Sequence, residues 1–260
     1  MIDKKILMIG YPVSSVRTTP LLNDWFLRNN YQLVVETREI LPKKLNCFLS
    51  EFIENEGIAG LCVTMPFKQK LMAIIDLPSE TVRVTNSTNC IRKGTDNLFE
   101  AEQFDGAAVL ASILKYKVDL ANSTVLVAGL GGSGSAIVHA IATHGCKTII
   151  ISETNLEKLD HWLTYARQNY TTEIISIEDN NLLPEIVVNA TPVGMESESD
   201  TPFSINLCKH AHLIVDIVAD PPKTSLMSFA TMNKKVIITG RDIVHSQIDL
   251  IGPWLANPLQ

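Results

Sequence analysis

"STVLVAGLGGSGSAIVHAIATHG", residues 123–145, is the stretch that decides the fold of this chain. An uninterrupted apolar run, typical of a buried strand, leads into four glycines within six residues and then into helical spacing. Glycines placed in this way between a strand and a helix permit a tight turn and let a pyrophosphate approach the backbone. The N-terminus of the following helix adds N–H donors and the positive end of a dipole. The stretch predicts a Rossmann-type unit, with a purely structural strand–helix turn as the alternative.

The turn and the strand after it predict the cofactor contacts. We expect five residues of the turn to contact a dinucleotide: Gly129, Gly131, Gly132, Ser133 and Gly134. The next apolar run is followed by Glu153, 24 residues after Gly129, at a position where an acidic side chain accepts hydrogen bonds from the adenosine ribose. A carboxylate there also repels a 2′-phosphate, and no arginine lies beside it, so we predict NAD in preference to NADP. The alternative is that Glu153 only caps the helix that begins near Asn155.

Apolar runs alternate with helical spacing along most of the chain. Runs typical of strands lie at 5–10, 31–38, 60–65, 147–152, 185–195, 211–218 and 234–240, and helical spacing at 20–30, 41–57, 107–117 and 242–255. Such alternation predicts parallel sheets covered by helices. We predict an α/β fold of two domains, residues 1–104 completed by a C-terminal helix at 241–260, and residues 105–240 forming the Rossmann-type NAD(P)-binding domain with a parallel sheet.

Composition excludes several classes of protein. The formal charge of −6 and the scattered cations argue against a nucleic-acid binder. No apolar stretch approaches the roughly 20 residues of a membrane span, and the N-terminus leads directly into a strand, so we expect a cytoplasmic protein that binds no membrane. The five cysteines contain no CxxC pair, which fits a reducing compartment and predicts no metal site. We expect a small-molecule substrate and a monomer or homodimer.

Eight stretches in order along the chain resemble the shikimate/quinate dehydrogenase family. They are GYPVSSVRTTP (10–20), VTMPFK (63–68), NSTNCI (86–91), FDG (104–106), GLGGSG (129–134), NATPVGM (189–195), DIVADPPKT (216–224) and GRDIVHSQ (240–247). VTMPFK is the most specific of them, and their shared order and spacing strengthen the rest. The resemblance implies an N-terminal substrate-binding domain followed by a Rossmann-type NAD(P) domain.

The resemblance also implies a reaction and the residues that perform it. The reaction is hydride transfer between NAD(H) and a cyclic polyhydroxy carboxylate such as shikimate, 3-dehydroshikimate or quinate. The catalytic lysine and aspartate fall on Lys68 and Asp105, which are expected to handle the hydroxyl proton. Residues that hold the substrate are matched by Thr18, Thr64, Asn89 and Gln247, and further cofactor contacts by Thr191 and Gly240. Each of these residues also has an ordinary structural interpretation. Lys68 fits a solvated lysine, Asp105 a helix N-cap, Asn89 a turn residue and Gln247 an exposed helix position.

Three departures from the family pattern leave the substrate open. Val16 replaces a carboxylate-binding serine, Phe104 stands where a threonine is usual, and Ala219 replaces a tyrosine. The alternatives are therefore a dehydrogenase of the same architecture acting on an amino or deoxy analogue of shikimate, and a non-catalytic protein that senses NAD or shikimate. Retention of Lys68 and Asp105 favours an enzyme over a sensor.

Overall fold

The computed structural model describes residues 4–14, 16–94, 96, 98–179, 182–195, 200–221 and 223–257. The chain forms two compact units. The first consists of Met1–Asp105 with Val244–Gln260, and the second of Gly106–Ile243. The predicted boundaries lie after residues 104 and 240, and the last three residues of the predicted C-terminal helix lie outside the described residues.

The first unit contains a mixed six-stranded sheet. Its strands are β1 Lys5–Gly10, β2 Val34–Glu39, β3 Ile58–Val63, β4 Leu77–Pro78, β5 Cys90–Lys93 and β6 Phe99–Glu102, in the spatial order β2-β1-β3-β5-β6-β4. Its helices are α1 Thr18–Arg28, α2 Leu45–Glu54 and α3 Glu80–Thr85. The part of α8, Gly240–Ala256, from Val244 onward also belongs to this unit.

Strand direction in this sheet differs from the all-parallel expectation. β1 pairs in parallel with β2 and β3, whereas β5 is antiparallel to both β3 and β6. The short connection between β5 and β6 explains their antiparallel pairing, because a parallel pair needs a crossover of a dozen residues or more. Alternation of apolar runs with helices does not reveal such a hairpin.

Helices cover both faces of the first sheet, which explains why β1 is apolar from Ile6 onward. Successive strand residues point to opposite faces, so Leu7 and Ile9 join one core cluster and Ile6 and Met8 the other. The first cluster contains the α2 residues Leu45, Phe48 and Phe52. The second contains Leu22 and Phe26 of α1 with Ile248, Ile251 and Leu255 of α8.

A buried arginine fixes the end of α8. Arg92 on β5 forms an ion pair with Glu100 on β6, with Nη2 and Oε2 2.6 Å apart. Its Nη1 donates to the carbonyl oxygens of Trp254 and Asn257, and its guanidinium lies over the Trp254 ring, 4.3 Å from the centroid. Cationic donors at a helix C-terminus satisfy its last carbonyls and complement the dipole. Arg92 therefore holds α8, which contains Gln247, against the first sheet.

The second unit contains a fully parallel six-stranded sheet. Its strands are β7 Thr124–Ala128, β8 Thr148–Ser152, β9 Glu173–Ser176, β10 Ile186–Asn189, β11 Leu213–Asp216 and β12 Val236–Thr239. Its helices are α4 Asp105–Leu114, α5 Gly132–Thr143, α6 Leu156–Asn169 and α7 Ser225–Met232. The order β12-β11-β10-β7-β8-β9 reverses direction between β7 and β10. Ligands of such sheets bind where the order reverses, at the carboxyl ends of the strands.

Within the described ranges, no helix is both long and apolar enough to cross a membrane.

Candidate active site

Lys68 is held in an ion pair close behind the carboxyl end of β3. Its Nζ lies 2.5 Å from Oδ2 of Asp105, and the two side chains are 16% and 6% exposed. Its carbonyl oxygen accepts a hydrogen bond from the Thr88 amide, which anchors the backbone at this point. The sequence-based alternative of a solvated lysine at a strand exit therefore does not describe Lys68.

Three side chains converge on the Asp105 carboxylate. Oδ2 contacts Lys68, while Oδ1 accepts hydrogen bonds from Asn89 Nδ2 at 2.8 Å and from Gln247 Nε2 at 2.7 Å. Lys68 follows β3, Asn89 precedes β5, Asp105 begins α4 and Gln247 lies in the middle of α8. Only the folded first unit brings these four residues together. A carboxylate that receives three donors at two oxygens is fixed in orientation. The structure thus assembles four of the six predicted catalytic and substrate residues into one cluster.

Two amide side chains also fix the backbone that precedes α4. Asn89 Oδ1 accepts from the Phe104 amide at 2.9 Å, and Gln103 Oε1 accepts from the Asp105 amide at 3.0 Å. Gln103 is 2% exposed and donates from Nε2 to Ser87 Oγ. Gln103 stands two residues before the predicted catalytic aspartate, where an asparagine is usual in the family pattern, but no role was predicted for it. An amide side chain two residues before Asp105 was the available signal in the sequence.

The two threonines predicted to hold substrate lie apart from this hydrogen-bonded cluster. Thr64 is half-buried just beyond β3, and a Cβ added to Gly10 would lie 2.3 Å from its methyl group. Thr18, the first residue of α1, is 9% exposed. Neither side chain is hydrogen-bonded to Lys68 or Asp105 in the part of the chain that is described.

Two of the departures from the family pattern join an apolar cluster beside Asp105. Val16 and Phe104 are partly buried against the core cluster that includes α1 and α8. The Phe104 ring meets Trp254 edge-on, with centroids 5.8 Å apart. The third departure, Ala219, is half-buried in the second unit. Apolar surface thus stands where the family pattern has hydroxyl groups.

The glycine turn has the geometry that the sequence predicts. Gly129 has φ of +89°, and a Cβ on Gly134 would lie 2.0 Å from the Gly129 carbonyl oxygen, so neither position accepts a side chain. A Cβ on Gly131 would meet nothing within 4 Å, which leaves this side of the turn open. Gly131 is the N-cap of α5 and offers no side-chain cap. An open turn at a helix N-terminus suits the phosphates of a dinucleotide. Gly132 and Ser133 begin the same helix.

Glu153 braces this turn from the end of β8. Its carboxylate accepts hydrogen bonds from the amides of Leu130 at 2.7 Å and Asn155 at 2.9 Å, and from the Thr154 hydroxyl at 3.3 Å. Burial acts to raise its pKa, but the bonds from the Asn155 and Leu130 amides and the nearby charge of Lys158 outweigh burial and hold the pKa below its ordinary value. Asn155 itself caps α6 by accepting from the Lys158 amide.

Glu153→Gln is expected to destabilise the protein at pH 7 by an amount that shrinks in acid. Because the folded-state pKa of Glu153 lies below its ordinary value of 4.5, the ionised carboxylate stabilises the fold above pH 4.5. This stabilisation is lost as the pH falls through the folded-state pKa. The measurement is Tm of both proteins between pH 7 and pH 3. Glu157→Gln, at an exposed first-turn position of α6, is the control. A Tm difference that stays constant over the range contradicts the assigned role.

The remaining predicted cofactor residues lie at neighbouring strand ends. Thr191 follows β10, and a Cβ on Gly129 would lie 2.8 Å from its methyl group, so Thr191 adjoins the glycine turn. Gly240 follows β12, where a Cβ would lie 2.4 Å from the Ile217 carbonyl oxygen. Both residues therefore stand at the carboxyl edge of the second sheet, where its topology predicts ligand binding.

A cavity of about 370 Å³ occupies the opposite edge of this sheet. It is lined by residues that precede the strands, among them Ser123, Glu185 and His212. None of the predicted site residues lines it. Since ligands of such sheets bind at the carboxyl ends of the strands, the geometry favours the glycine turn over this cavity as the dinucleotide site.

The fold and the glycine turn define a two-domain α/β protein with a Rossmann-type dinucleotide-binding unit. Residues 8–91 match the family model described as the shikimate dehydrogenase substrate binding domain. The family model and the curated relatives support the shikimate dehydrogenase family. The shikimate dehydrogenase (NADP(+)) of Caldanaerobacter subterraneus subsp. tengcongensis is 26% identical over 245 residues, which is 92% of this chain and 87% of that protein.

Two solved structures share the fold. A shikimate 5-dehydrogenase from Listeria monocytogenes, in complex with shikimate and NAD, has a TM-score of 0.83 at 20% identity, covering 98% of this chain and 91% of that one. A shikimate dehydrogenase in complex with NADP⁺ has a TM-score of 0.83 at 21% identity, covering 96% and 88%. At these identities the likeness establishes the architecture.

The predicted preference for NAD over NADP is wrong. The Caldanaerobacter relative and other curated relatives are named NADP(+) enzymes, and one of the two structural neighbours holds NADP⁺. The prediction assumed that the Glu153 carboxylate faces a ribose. In the structure its oxygens bind the amides of Leu130 and Asn155 and the hydroxyl of Thr154. An acidic residue at this position therefore does not report which dinucleotide binds.

Proposed function

We propose that the chain is an NADP(H)-linked oxidoreductase that interconverts a secondary alcohol and a ketone on a cyclic polyhydroxy carboxylate, shikimate and 3-dehydroshikimate being the first candidates. The observation that carries the proposal is the Lys68–Asp105 contact of 2.5 Å, with the Asp105 carboxylate only 6% exposed. It lies in the unit whose residues 8–91 match the substrate-binding domain model. The choice of dinucleotide follows the names of the curated relatives.

Lys68 is the residue that we assign to proton transfer. Oxidation of an alcohol removes a hydride from carbon and a proton from oxygen, and the bound dinucleotide supplies the hydride acceptor. In this direction Lys68 Nζ passes a proton to Asp105 Oδ2 and takes the hydroxyl proton, and both transfers reverse during reduction of the ketone. A side chain that transfers a proton must lie within hydrogen-bond reach of the reacting oxygen. The contact with Asp105 limits the positions that Nζ can occupy.

Asp105 acts with Lys68 as one unit. Its Oδ1 is occupied by Asn89 and Gln247, so Oδ2 is the oxygen that faces Lys68. An amide group has two N–H donors, and each of these residues directs one to Asp105. The second N–H of each is the group that we assign to substrate hydroxyls. We assign Thr64 to a further hydroxyl and Thr18 to the carboxylate.

The second unit provides the dinucleotide site in this proposal. The turn from Gly129 to Gly134 and the N-terminus of α5 bind the phosphates, and Thr191 and Gly240 contact the nicotinamide end. The open face at Gly131 and the adjacency of Thr191 to Gly129 support this assignment. Glu153 acts as a brace of the turn.

A second substrate class is favoured by the apolar surface at Val16 and Phe104. Apolar side chains that replace hydroxyl groups weaken recognition of a polar substituent, because the substituent's hydrogen bonds to water are lost without replacement. This argument supports a deoxy analogue of shikimate as the alternative substrate, and an amino analogue and quinate are included with it because the departures also change the shape of the site. A protein that binds these ligands without turnover is the remaining alternative.

A matrix of dinucleotides and substrates tests the proposal. Oxidation rates are measured spectrophotometrically for shikimate, quinate and amino or deoxy analogues, each with NADP⁺ and with NAD⁺. We expect turnover of a cyclic hydroxy acid with NADP⁺. Turnover confined to an analogue would select the second substrate class. Absence of turnover across the matrix, together with stabilisation by the same ligands in thermal unfolding, would replace the enzyme with a binding protein.

A further inference from the structure

The N-terminus of α1 lies at the edge of the first sheet from which the chain continues to Lys68. β1 and β3 are parallel neighbours, and α1 follows the loop after β1 just as Lys68 follows β3. The two loops are in contact, because the Tyr11 amide donates to the Met65 carbonyl oxygen at 2.9 Å and a Cβ on Gly10 would lie 2.3 Å from the Thr64 methyl group. Both loops therefore stand at the carboxyl edge of parallel strands, where α/β sheets bind their ligands.

The first turn of α1 has amide donors and no acidic side chain to occupy them. Its N-cap, Arg17, makes no side-chain cap, and the first turn contains no aspartate or glutamate. Within the described residues, no side chain accepts a hydrogen bond from the Thr18 or Thr19 amide. The free N–H groups of a helix N-terminus and the positive end of its dipole both favour a negative charge. This turn is therefore suited to an anionic group.

Thr18 gives a second, independent indication that this turn binds a ligand. The residue is only 9% exposed, and its hydroxyl forms no hydrogen bond with any described residue. Every fully buried polar side-chain atom in that part of the chain has a partner, so the Thr18 hydroxyl reaches the surface. A hydroxyl that burial holds in place, and that no protein group occupies, is available to a bound molecule.

Arg17 adds a positive charge to this turn. Its side chain is exposed and forms no ion pair in the ranges that the structure describes. Glu39, at the end of β2, bonds to the same loop at the Val13 amide, 3.2 Å away, and not to Arg17. Val16 packs against the core cluster that includes α1 and α8, so it has no polar group to offer a ligand. A guanidinium binds a carboxylate through two parallel N–H···O bonds.

We propose that Arg17, together with the N-terminus of α1 and the Thr18 hydroxyl, binds the carboxylate of the substrate through an ion pair. The family resemblance accounts for Thr18, whereas the charge at Arg17 substitutes for the hydrogen bond that is lost at Val16. The inference rests on the proposed function for the nature of the substrate. Arg17 is a specificity-determining residue, which raises affinity for an acid and takes no part in proton transfer at Lys68.

The test compares an acid with its own carboxamide, which has the same ring and hydroxyl groups but no charge. The acid is shikimate, or the acid of the matrix with the highest turnover, and kcat and KM are measured for both compounds with NADP⁺. We expect Arg17→Gln to raise KM for the acid about tenfold, the value of one charge-assisted hydrogen bond. KM for the carboxamide and kcat for both compounds should stay within about twofold. Arg17→Lys, which keeps the charge but not the two parallel bonds, should give an intermediate KM for the acid.

Arg28→Gln is the matched control. Arg28 lies in the last turn of the same helix and pairs with Asp24 at 2.9 Å, so its removal changes the net charge equally at the other end of α1. We expect wild-type KM values for both compounds from this variant. Because Arg17 is exposed, Arg17→Gln should fold as the wild type does, and Tm checks this. If it does not fold, Arg17→Lys decides the question, since the inference requires a higher KM for the acid alone.

The outcomes separate the inference from the proposed function. The inference is overturned if Arg17→Gln leaves KM for the acid unchanged, or raises KM for acid and carboxamide equally, since Arg17 then does not act on the carboxylate. A wild-type protein that binds the carboxamide more tightly than the acid also overturns it. Absence of turnover with every acid contradicts the proposed function instead. In that case Kd for shikimate decides the inference, which requires Arg17→Gln to bind shikimate about tenfold more weakly than the wild type.

Discussion

Lys68→Ala is expected to lower kcat by about 10²–10⁴-fold, the usual contribution of a positioned acid–base group. The substitution removes the only cation that contacts Asp105 among the described residues, so the hydroxyl proton has no acceptor of the same kind. Dinucleotide affinity should stay within about twofold, because the glycine turn belongs to the other unit. Steady-state kinetics with the best substrate of the matrix, together with Kd for NADP⁺, provide the measurement.

Lys70→Ala is the matched control for this prediction. Lys70 lies two residues further along the same loop and is exposed. Its removal tests whether loss of positive charge near the β3 exit is sufficient to lower kcat. We expect wild-type kinetics from Lys70→Ala. If Lys68→Ala turns over at the wild-type rate, or if both variants lose activity equally, Lys68 is not the proton-transfer residue.

Asp105→Asn is expected to lower both activity and stability. Asn89, Gln247 and Lys68 all direct donors at this side chain, and an asparagine must turn its own NH₂ towards one of them. The substitution also leaves Lys68, 16% exposed, without its counter-ion. Removing one partner of a buried pair costs about 3 kcal/mol or more in unfolding free energy. We expect a loss in kcat of about 10²-fold or more, measured together with urea unfolding.

Glu51→Gln provides the comparison for stability. Glu51 pairs with Arg38 at 2.6 Å on the surface of the same unit, with side chains 44% and 41% exposed. Loss of such an exposed pair costs no more than about 1 kcal/mol.

The double variant Lys68→Ala/Asp105→Asn should lose little more activity than the worse single variant, because the two residues act together. Additive losses in kcat would show that they act independently.

The fold could be predicted from local pattern wherever a strand is followed by a helix. The runs at 5–10 and 147–152 and the unit at 123–145 coincide with β1, β8 and the β7–α5 turn. The β5–β6 hairpin escaped prediction because each strand has only four residues and no helix separates them. Short strands contain too few positions to show a period, and their pairing is decided by contacts with β3 and β4.

The site could be predicted only as a set of residue types. Family resemblance pointed to Lys68, Asp105, Asn89 and Gln247, and their geometry follows from the folding of the first unit. At Glu153 the residue stands where the motif expects an acidic side chain, but the preference for NAD that was inferred from it is wrong. Its role depends on whether its oxygens face a ligand or the amides of Leu130 and Asn155, and no spacing along the chain records that choice.

The sequence by itself determined the two α/β units, the glycine turn and the identity of the lysine–aspartate pair. The units and the turn depend on local periodicity and on residue types at short spacing, which one strand and one helix are enough to express, whereas the lysine–aspartate pair rests on the family resemblance. The tertiary structure alone decided that Gln103 and Asn89 hold the backbone at Asp105, and that the Asn189 side chain donates to Asp216 and accepts from Thr191. Such hydrogen bonds join residues from different elements, and their direction depends on which donors burial brings within about 3 Å of each acceptor.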